Sequence, residues 1–250
     1  MTHLTVSVII PTFNAAAFLP AALDSVITQT RRPDEIIVVD DGSTDDTSIV
    51  LRDAPAVTVI HQANAGPAAA RNAGVARATG DLLAFLDADC VWYPGKLERQ
   101  LAWHERDDTV DYSFTELEER IADGAETPWW SLHRQPESPT HKVSVPSLAI
   151  RRSAFDALGG FNETLRAGED ADFLARANAS PFREARIAEV LGASVLHGAN
   201  LSANRDRIAV DLPRALHAAL RERRRRTGTP GGAASGQDDA ASTAEEWSDP

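Results

Sequence analysis

The fold of this 250-residue chain is decided by the stretch Gly80-Asp81-Leu82-Leu83-Ala84-Phe85-Leu86-Asp87-Ala88-Asp89. Its apolar run from Leu82 to Leu86 does not alternate, which is typical of a strand buried on both faces, as in a parallel sheet. Asp87 and Asp89 follow where this strand ends, and open α/β sheets bind ligands at the carboxyl ends of their strands. Alone, the two acids indicate either a polar turn or a metal site.

The sequence before this stretch repeats a pattern of an apolar, β-branched segment followed by a segment with helical spacing. The predicted elements are strand 5–10, helix 18–28, strand 35–40, helix 45–52, strand 57–62 and helix 68–78. This β-α-β-α-β-α-β order predicts an α/β fold with a parallel sheet and helices on both of its faces.

The second half of the chain has a more varied pattern. The predicted elements are helix 96–106, strand 110–117, surface loop 121–142, strand 143–150, helices 152–158 and 169–177, mixed strand and loop 182–197, and terminal helix 207–225. From residue 227 the chain is rich in Gly, Ala, Ser, Asp and Glu, a composition that predicts disorder.

Composition limits the classes of partner and compartment. The net charge of -12 argues against nucleic acid as a partner, but it is compatible with a divalent cation that carries an anionic substrate. Cys90 is the only cysteine, which excludes an internal disulfide framework and favours a reducing compartment. We see no signal peptide and no apolar stretch near the ~20 residues of a spanning helix. We therefore expect a cytoplasmic protein without a membrane span.

A second pair of acids, Asp40 and Asp41, ends the second predicted strand. Helix capping by Ser43 and Asp46 would account for the acids that follow, but not for this pair. Two acidic strand ends in one parallel sheet open on the same edge. Several carboxylates at one edge repel each other and would repel a diphosphate, unless a hard ion such as Mg²⁺ or Mn²⁺ bridges the two.

Other nucleotide sites fit the sequence poorly. The first strand is followed by Pro11-Thr12-Phe13-Asn14, whereas a dinucleotide-binding site needs Gly-x-Gly-x-x-Gly at this point. The sequence also contains no phosphate-binding loop of the Gly-Lys-Ser type. A nucleotidyltransferase would need a glycine-rich, basic loop at this same point.

Four motifs together resemble the family 2 glycosyltransferases. They are Val6-Ser7-Val8-Ile9-Ile10-Pro11-Thr12-Phe13-Asn14, Val38-Val39-Asp40-Asp41-Gly42-Ser43-Thr44-Asp45, Asn64-Ala65-Gly66-Pro67-Ala68-Ala69-Ala70-Arg71-Asn72-Ala73-Gly74 and Phe85-Leu86-Asp87-Ala88-Asp89. The resemblance covers roughly residues 6–201. It implies a GT-A fold, which is a Rossmann-like, mostly parallel central sheet flanked by helices with a smaller acceptor-side subregion. It also implies an inverting, metal-dependent transfer from a nucleotide diphospho-sugar, in the first place a UDP-sugar.

The resemblance also implies a role for each motif residue. Phe13 would lie against the base, Asp41 would bind the base with Asp40 near the ribose, and Asp89 would hold Mg²⁺ or Mn²⁺. The implied donor-binding residues are Pro11, Thr12, Phe13, Asn14, Asp40, Asp41, Arg71, Asp87 and Ala88. Arg71 would face the nucleotide, although an exposed helix arginine is the plainer interpretation.

The resemblance places the general base in the segment Gly168-Glu169-Asp170-Ala171-Asp172-Phe173 and assigns that role to Asp170. An acidic first turn of a helix would also explain this segment, and Glu169 or Asp172 are the alternative bases. His197 is either a residue beside the metal and diphosphate or a structural histidine.

By the same resemblance, residues 1–110 form the nucleotide-sugar-binding half of one domain, residues 111–226 the acceptor and catalytic-base half, and residues 227–250 a disordered tail. The acceptor is left open among a polysaccharide, a lipid carrier, a small molecule and a peptide. Trp129-Trp130 is suited to sugar stacking or to packing on the body. Arg221 and Arg223 to Arg226 form a solvated helix end or contact an anionic membrane surface. A nucleotide-sugar-binding module without catalysis, or a nucleotidyltransferase on a related fold, is the alternative function, and the oligomeric state is open.

Overall fold

The central feature of the protein is a mixed sheet, seen here in a computed structural model that describes residues 3–54, 56–121 and 143–197. The elements in chain order are β1 (Val6–Thr12), α1 (Leu19–Ile27), β2 (Glu35–Asp40), α2 (Thr47–Arg52), β3 (Thr58–His61), α3 (Pro67–Arg77), β4 (Leu82–Phe85), β5 (Cys90–Trp92), α4 (Lys96–Arg106), β6 (Tyr112–Ile121), a 3₁₀ turn (Val145–Ser147), β7 (Leu148–Arg151), α5 (Arg152–Leu158), α6 (Glu169–Asn178) and β8 (Glu184–Leu196).

Within the described residues, the sheet has eight strands in the order β3-β2-β1-β4-β7-β6-β8-β5. The first four strands of the chain pair in parallel, with β1 between β2 and β4. Beyond β4 the pairing is mixed, because β7 is antiparallel to both β4 and β6, whereas β8 is parallel to β6 and antiparallel to β5. The predicted α/β fold with a mostly parallel sheet is confirmed.

Two apolar layers cover the faces of the sheet. Successive residues of β1 alternate between them: Val8 packs in the layer that contains α1 and part of α4, and Ile9 packs in the layer that contains α3, α5 and α6. Helix α3 approaches β1 closely at Gly74, where an added Cβ would lie 2.5 Å from Cγ2 of Ile9. This close packing holds the second half of α3 against the middle of β1.

One buried polar network lies between α4 and β6. The side chain of Lys96 is fully buried, donates from Nζ to Oε1 of Gln100 at 2.7 Å, and lies 3.9 Å from the Trp92 ring centroid. Burial lowers the pKa of Lys96 well below its usual value. Burial, together with the charge of Arg151, lowers the pKa of His104 to about 4. His104 is therefore neutral at pH 7, and burial favours the neutral form of Lys96.

Two predicted elements differ from the structure, and one strand of the structure was not predicted. The predicted strand 143–150 is a 3₁₀ turn followed by β7, because Pro146 in this segment cannot donate to a strand ladder. The mixed segment 182–197 is one strand, β8, with irregular pairing to β6. The three-residue strand β5, which directly follows Asp89, was not predicted.

Several predictions fall partly or wholly outside the described residues. The predicted loop 121–142 starts at Ile121, which ends β6, and its remainder with Trp129-Trp130 lies outside. The terminal helix 207–225, the arginine cluster and the tail 227–250 also lie outside, and the division at residue 110 stays a prediction. In the part of the chain that the structure describes, none of the helices has both the length and the apolar character needed to cross a bilayer.

Candidate active site

The acidic ends of β2 and β4 lie on one edge of the sheet, on either side of β1. Because these three strands are parallel, Asp40 and Asp41 at the end of β2 open in the same direction as Asp87 after β4. The first turn of α6 reaches this edge from the second half of the chain. The site is therefore built by two strand ends and one helix start.

Asp41 is buried and is held mainly by backbone. Its Oδ1 accepts hydrogen bonds from the N–H of Ala65 at 2.8 Å and from Nε2 of Gln62 at 2.7 Å. Its Oδ2 accepts from the N–H of Gly66, also at 2.8 Å. Gly66 has φ +95°, a conformation that favours glycine. Asp41 thus fixes the loop that leads into α3, and neither Gln62 nor this role was predicted.

Asp40 is also buried, and its hydrogen bonds favour the ionised form. Oδ1 accepts from the N–H of Ser43 at 2.9 Å, and Oδ2 lies 3.1 Å from Nδ1 of His61. Burial raises the pKa of Asp40, but the hydrogen bonds from Ser43 and His61 outweigh this and hold the pKa below its usual range. Asp40 is therefore a carboxylate at neutral pH.

The segment after β1 is joined to the segment after β2. Asn14, at φ +50°, donates from its N–H to Oγ of Ser43 at 2.9 Å and accepts on Oδ1 from the N–H of Thr44 at 2.7 Å. The predicted helix cap at Ser43 is wrong, because α2 begins at Thr47 after Asp46, whose side chain makes no capping hydrogen bond. The acids and polar groups of this segment instead connect the two strand ends.

Pro11, Thr12 and Phe13 form the rim of the same edge. Pro11 and Thr12 are the last buried residues of β1, and Thr12 lies in register with Asp40. Within the described residues, Oγ1 of Thr12 is buried and has no hydrogen-bond partner. Phe13 follows with 49% of its surface exposed, which leaves a flat apolar ring at the mouth of the site.

Arg71 on α3 connects the strand-end acids to α6. Only 2% of its surface is exposed, so the plainer interpretation as an exposed helix arginine is wrong. Nη2 donates to Oδ1 of Asp87 at 2.7 Å, and Nη1 donates to Oε1 of Glu169 at 2.9 Å and to Oδ1 of Asp170 at 3.0 Å. Its guanidinium also lies 5.2 Å from the ring centroid of Phe161.

The charge state of Arg71 follows from this cluster. Burial alone would lower its pKa, but Asp170, Asp87 and Glu169 together raise the pKa well above the usual value. Burial raises the pKa of Asp87, Arg71 opposes this, and the neighbouring charges of Asp89 and Glu169 raise it further. The cluster therefore has more negative charge than its single arginine neutralises, which favours a further cation at this edge.

Asp87, Asp89 and Cys90 each offer one ligand atom, and these atoms lie within 4.8 Å of one another. The two carboxylates suit a hard ion such as Mg²⁺ or Mn²⁺, whereas the buried thiol of Cys90 is a soft ligand that does not. Ala88 between them is buried and spaces the two acids. The donor set therefore fits the implied metal through its carboxylates.

His197, at the end of β8, lies beside Asp89. Its Nε2 is 3.4 Å from Oδ2 of Asp89, and its ring stacks on Phe18 with centroids 4.2 Å apart. Its ring nitrogens do not belong to the group formed by Asp87, Asp89 and Cys90, among the residues that were described. His197 is thus adjacent to the predicted metal ligand, and the stacking partner Phe18 was not predicted.

The three acids in the first turn of α6 have different surroundings. Asp172 is 2% exposed and pairs with Nη2 of Arg176, one turn later, at 2.8 Å. The side chain of Glu169 is 8% exposed, while that of Asp170 is 33% exposed. Of the three, Asp170 is the acid that combines contact with Arg71 and access to a ligand.

Asn72, next to Arg71, also lies at this edge, and no role was predicted for it from the sequence. Its Nδ2 donates to the carbonyl of Phe161 at 2.9 Å and its Oδ1 accepts from the N–H of Phe161 at 2.9 Å. Nδ2 also donates to Oε1 of Glu163 at 2.8 Å. Two adjacent side chains of α3 therefore hold the segment that leads into α6.

Comparison with known proteins gives a family. The model of the family described as "Glycosyl transferase family 2" matches residues 7–159. An uncharacterized glycosyltransferase of Haemophilus influenzae is 31% identical over 214 residues, which are 80% of this chain and 71% of that protein. An uncharacterized glycosyltransferase of Rickettsia felis is 35% identical over 174 residues, 66% of this chain but only 29% of that longer protein.

Solved structures share the fold. S. aureus TarS 1-349 in complex with UDP-GlcNAc has a TM-score of 0.66 at 21% identity, over 87% of this chain and 66% of that chain. The mannosyltransferase PcManGT from Pyrobaculum calidifontis, in complex with GDP-Man and Mn²⁺, has a TM-score of 0.67 at 24% identity, over 88% of this chain and 65% of that chain. With the GT-A architecture, the strand-end acids and the family match together, this chain belongs to glycosyl transferase family 2.

Proposed function

We propose that this protein transfers a sugar from a nucleotide diphospho-sugar to an acceptor with inversion at the anomeric carbon, and that Asp170 is the general base. The observation that carries the proposal is the arginine bridge, in which one guanidinium binds both Asp87 at the strand end and Asp170 at the helix start. This bridge supports a reaction centre between the donor-binding edge and α6, because a base must lie within reach of the donor's reacting carbon.

The nucleoside end of the donor is assigned to the first two strands. The exposed ring of Phe13 is suited to contact with a nucleobase, and the carboxylates of Asp40 and Asp41 are suited to accept hydrogen bonds from ribose and base. The rigid hold on Asp41 by Ala65 and Gly66 supports this role, because an acceptor fixed by backbone discriminates well between ligands. Pro11, Thr12 and Asn14 would shape the same pocket.

The diphosphate end is assigned to the segment after β4. Asp89, with Asp87 and His197 beside it, would hold Mg²⁺ or Mn²⁺, and the bound ion would supply positive charge to the departing diphosphate. The neighbour PcManGT was solved with Mn²⁺ and GDP-Man, which agrees with a metal and a nucleotide sugar in this fold. A UDP-sugar remains our first expectation for this chain.

The remaining step belongs to Asp170. As the acceptor's hydroxyl attacks the anomeric carbon, Asp170 takes the hydroxyl proton, and the nucleoside diphosphate leaves on the opposite face. Arg71 is a positioning residue, because it holds Asp170 and Asp87 through separate nitrogen atoms. Glu169 shares the same Nη1 but is nearly inaccessible, so it is better suited to orient Arg71 than to accept a proton.

The test separates binding from chemistry. Calorimetry with UDP, GDP and dTDP in the presence of Mn²⁺ identifies the nucleotide, and the matching sugar nucleotide is then used to measure donor hydrolysis. Asp170→Asn is expected to bind the nucleotide normally and to lower turnover about 10²- to 10⁴-fold, the usual contribution of a general base. Asp156→Asn, an exposed acid on α5, is the matched control and should leave turnover unchanged.

Undiminished turnover in Asp170→Asn would remove the assigned base. Nucleotide binding without turnover in the wild-type protein would favour the alternative of a binding module without catalysis.

A further inference from the structure

Arg166 belongs to the segment before α6, but it lies against the loop whose backbone N–H groups bind Asp41. A Cβ added at Gly66 would lie 3.3 Å from Nη1 and 3.6 Å from Cδ of Arg166, so the arginine side chain covers this glycine. Gly66 is also the residue whose N–H binds Oδ2 of Asp41 at 2.8 Å. The guanidinium of Arg166 therefore lies beside the residue that binds Asp41, and we assign the Asp41 carboxylate to the nucleoside.

The charges around Arg166 distinguish it from Arg71. Arg71 is buried and its two terminal nitrogens bind three carboxylates. Arg166 is exposed, and among the described residues no carboxylate lies within ion-pair distance of it. An arginine has five N–H donors in a planar fork, so Arg166 presents donors to this end of the site, and none of them pairs with a carboxylate of residues 3–54, 56–121 or 143–197.

The position of Gly66 favours the nucleoside over the diphosphate. The Gly66 loop follows β3 and is bound to the end of β2, whereas the predicted metal ligands follow β4. Strands β2 and β4 are separated by β1, which corresponds to about 10 Å between them at ordinary strand spacing. A donor molecule that spans this edge has its base and ribose, and not its phosphates, beside Gly66.

We propose that Arg166 is a specificity-determining residue that closes over the nucleoside of the donor and donates hydrogen bonds to a carbonyl oxygen of the base. This inference rests on the proposed function. Beside it, Asp41 accepts from a ring N–H, so that the pair presents one acceptor and one donor. Such a pair is complementary to a base edge in which an N–H adjoins a C=O.

The experiment measures the Kd of two probes, uridine and UDP with Mn²⁺, for the full chain and three variants. If GDP or dTDP is the nucleotide bound more tightly, its nucleoside and diphosphate replace these probes. Arg166→Ala is expected to weaken the binding of uridine and the binding of UDP equally, by about 10-fold. This is the effect of losing one charge-assisted hydrogen bond. Arg166→Lys should recover only part of this loss, because an ammonium lacks the planar fork.

The matched control is Arg52→Ala, which removes an exposed arginine from α2 and should leave both affinities unchanged. In steady-state assays, Arg166→Ala should raise KM for the donor with kcat nearly unchanged, since a contact to the nucleoside is the same in ground state and transition state. Circular dichroism and the midpoint of urea unfolding check that the variants are folded.

Three results overturn the inference. Equal affinities for wild type and Arg166→Ala would remove Arg166 from the site. A loss confined to UDP, with uridine unaffected, would assign Arg166 to the diphosphate. If the wild-type chain binds no nucleotide with Mn²⁺ present, the proposed function falls together with this inference, whereas the first two results leave the proposed function intact.

Discussion

The two sides of the candidate site hold their carboxylates by different means. On the side that we propose for the nucleoside, the nucleoside side, Asp41 is bound by two backbone N–H groups and one amide, all from the segment 62–66. On the side that we propose for the reaction, the reaction side, Asp87, Glu169 and Asp170 come from distant parts of the chain and meet at the side chain of Arg71. The first arrangement depends on local backbone, and the second depends on a single buried charge.

This difference has an energetic consequence. A carboxylate that accepts from backbone N–H groups keeps its partners under most substitutions, because every residue except proline supplies that donor. Carboxylates that share one guanidinium lose their partner together when that residue is changed, and a buried charge without a partner is strongly unfavourable. We therefore expect the reaction side to be more sensitive to a single substitution than the nucleoside side.

The largest expected effect is that of Arg71→Ala. It leaves Asp87, Glu169 and Asp170 without their counter-charge, and we expect the free energy of unfolding to fall by about 3 kcal/mol, with loss of transfer activity. Urea unfolding and a donor-hydrolysis assay measure the two effects. Arg99→Ala, which breaks an exposed ion pair with Glu189, is the control and should cost less than about 1 kcal/mol.

Arg71→Lys sharpens the same comparison, because lysine keeps the charge but cannot bind Asp87 and Asp170 through two separate nitrogens. It should recover part of the stability and little of the activity. Full recovery of both would mean that the charge matters and the bridging geometry does not.

A smaller effect is expected for Asp41→Asn. The amide keeps only one acceptor oxygen, so one of the backbone N–H groups of Ala65 and Gly66 loses its partner, at a cost of about 1–3 kcal/mol. Nucleotide affinity, measured by calorimetry, should fall about 10-fold or more, while the Arg71 cluster stays intact. Asp46→Asn, where the side chain makes no capping bond, is the nearby control. A normal nucleotide affinity in Asp41→Asn would contradict the role of Asp41 at the base.

Outside the candidate site, Lys96 is a fully buried lysine whose Nζ donates to the neutral side-chain amide of Gln100. Its pKa is lowered in the folded state, so the unfolded chain binds more protons, and stability falls as the pH decreases from the lysine's unfolded value near 10.4. Lys96→Met, of similar length and apolar, should therefore unfold at a higher urea concentration at pH 7.

The advantage of Lys96→Met should shrink as the pH is raised toward 10, because removing the proton from the unfolded lysine costs less free energy as the pH approaches its unfolded pKa. Urea midpoints at pH 7 and pH 10 measure this difference. A midpoint lowered at pH 7 would show that the bond to Gln100 and the contact with Trp92 outweigh the cost of keeping the lysine buried.

The sequence predicted the nucleoside side better than the reaction side. Strands β1 to β4 are short-range repeats of strand and helix, so their apolar runs and the acids at their ends were readable from local pattern. The burial of Arg71 was not, because its partners Glu169 and Asp170 lie far along the chain. Likewise, β5 pairs antiparallel with β8, which lies far along the chain, and a three-residue strand has too little periodicity to be recognised from the sequence.

The neighbouring side chains Arg71 and Asn72 also have a consequence for the order of folding. Their bonds to Phe161 and Asp170 close loops of 89 and 99 residues, whereas the β-α-β units before them need only short loops. Long loops lose more chain entropy on closure, so these bonds are expected to form after the parallel strands have assembled. The nucleoside side would then form before Asp170, the proposed general base, is in place, and hydrogen exchange at α6 should be faster than at β1 and β2.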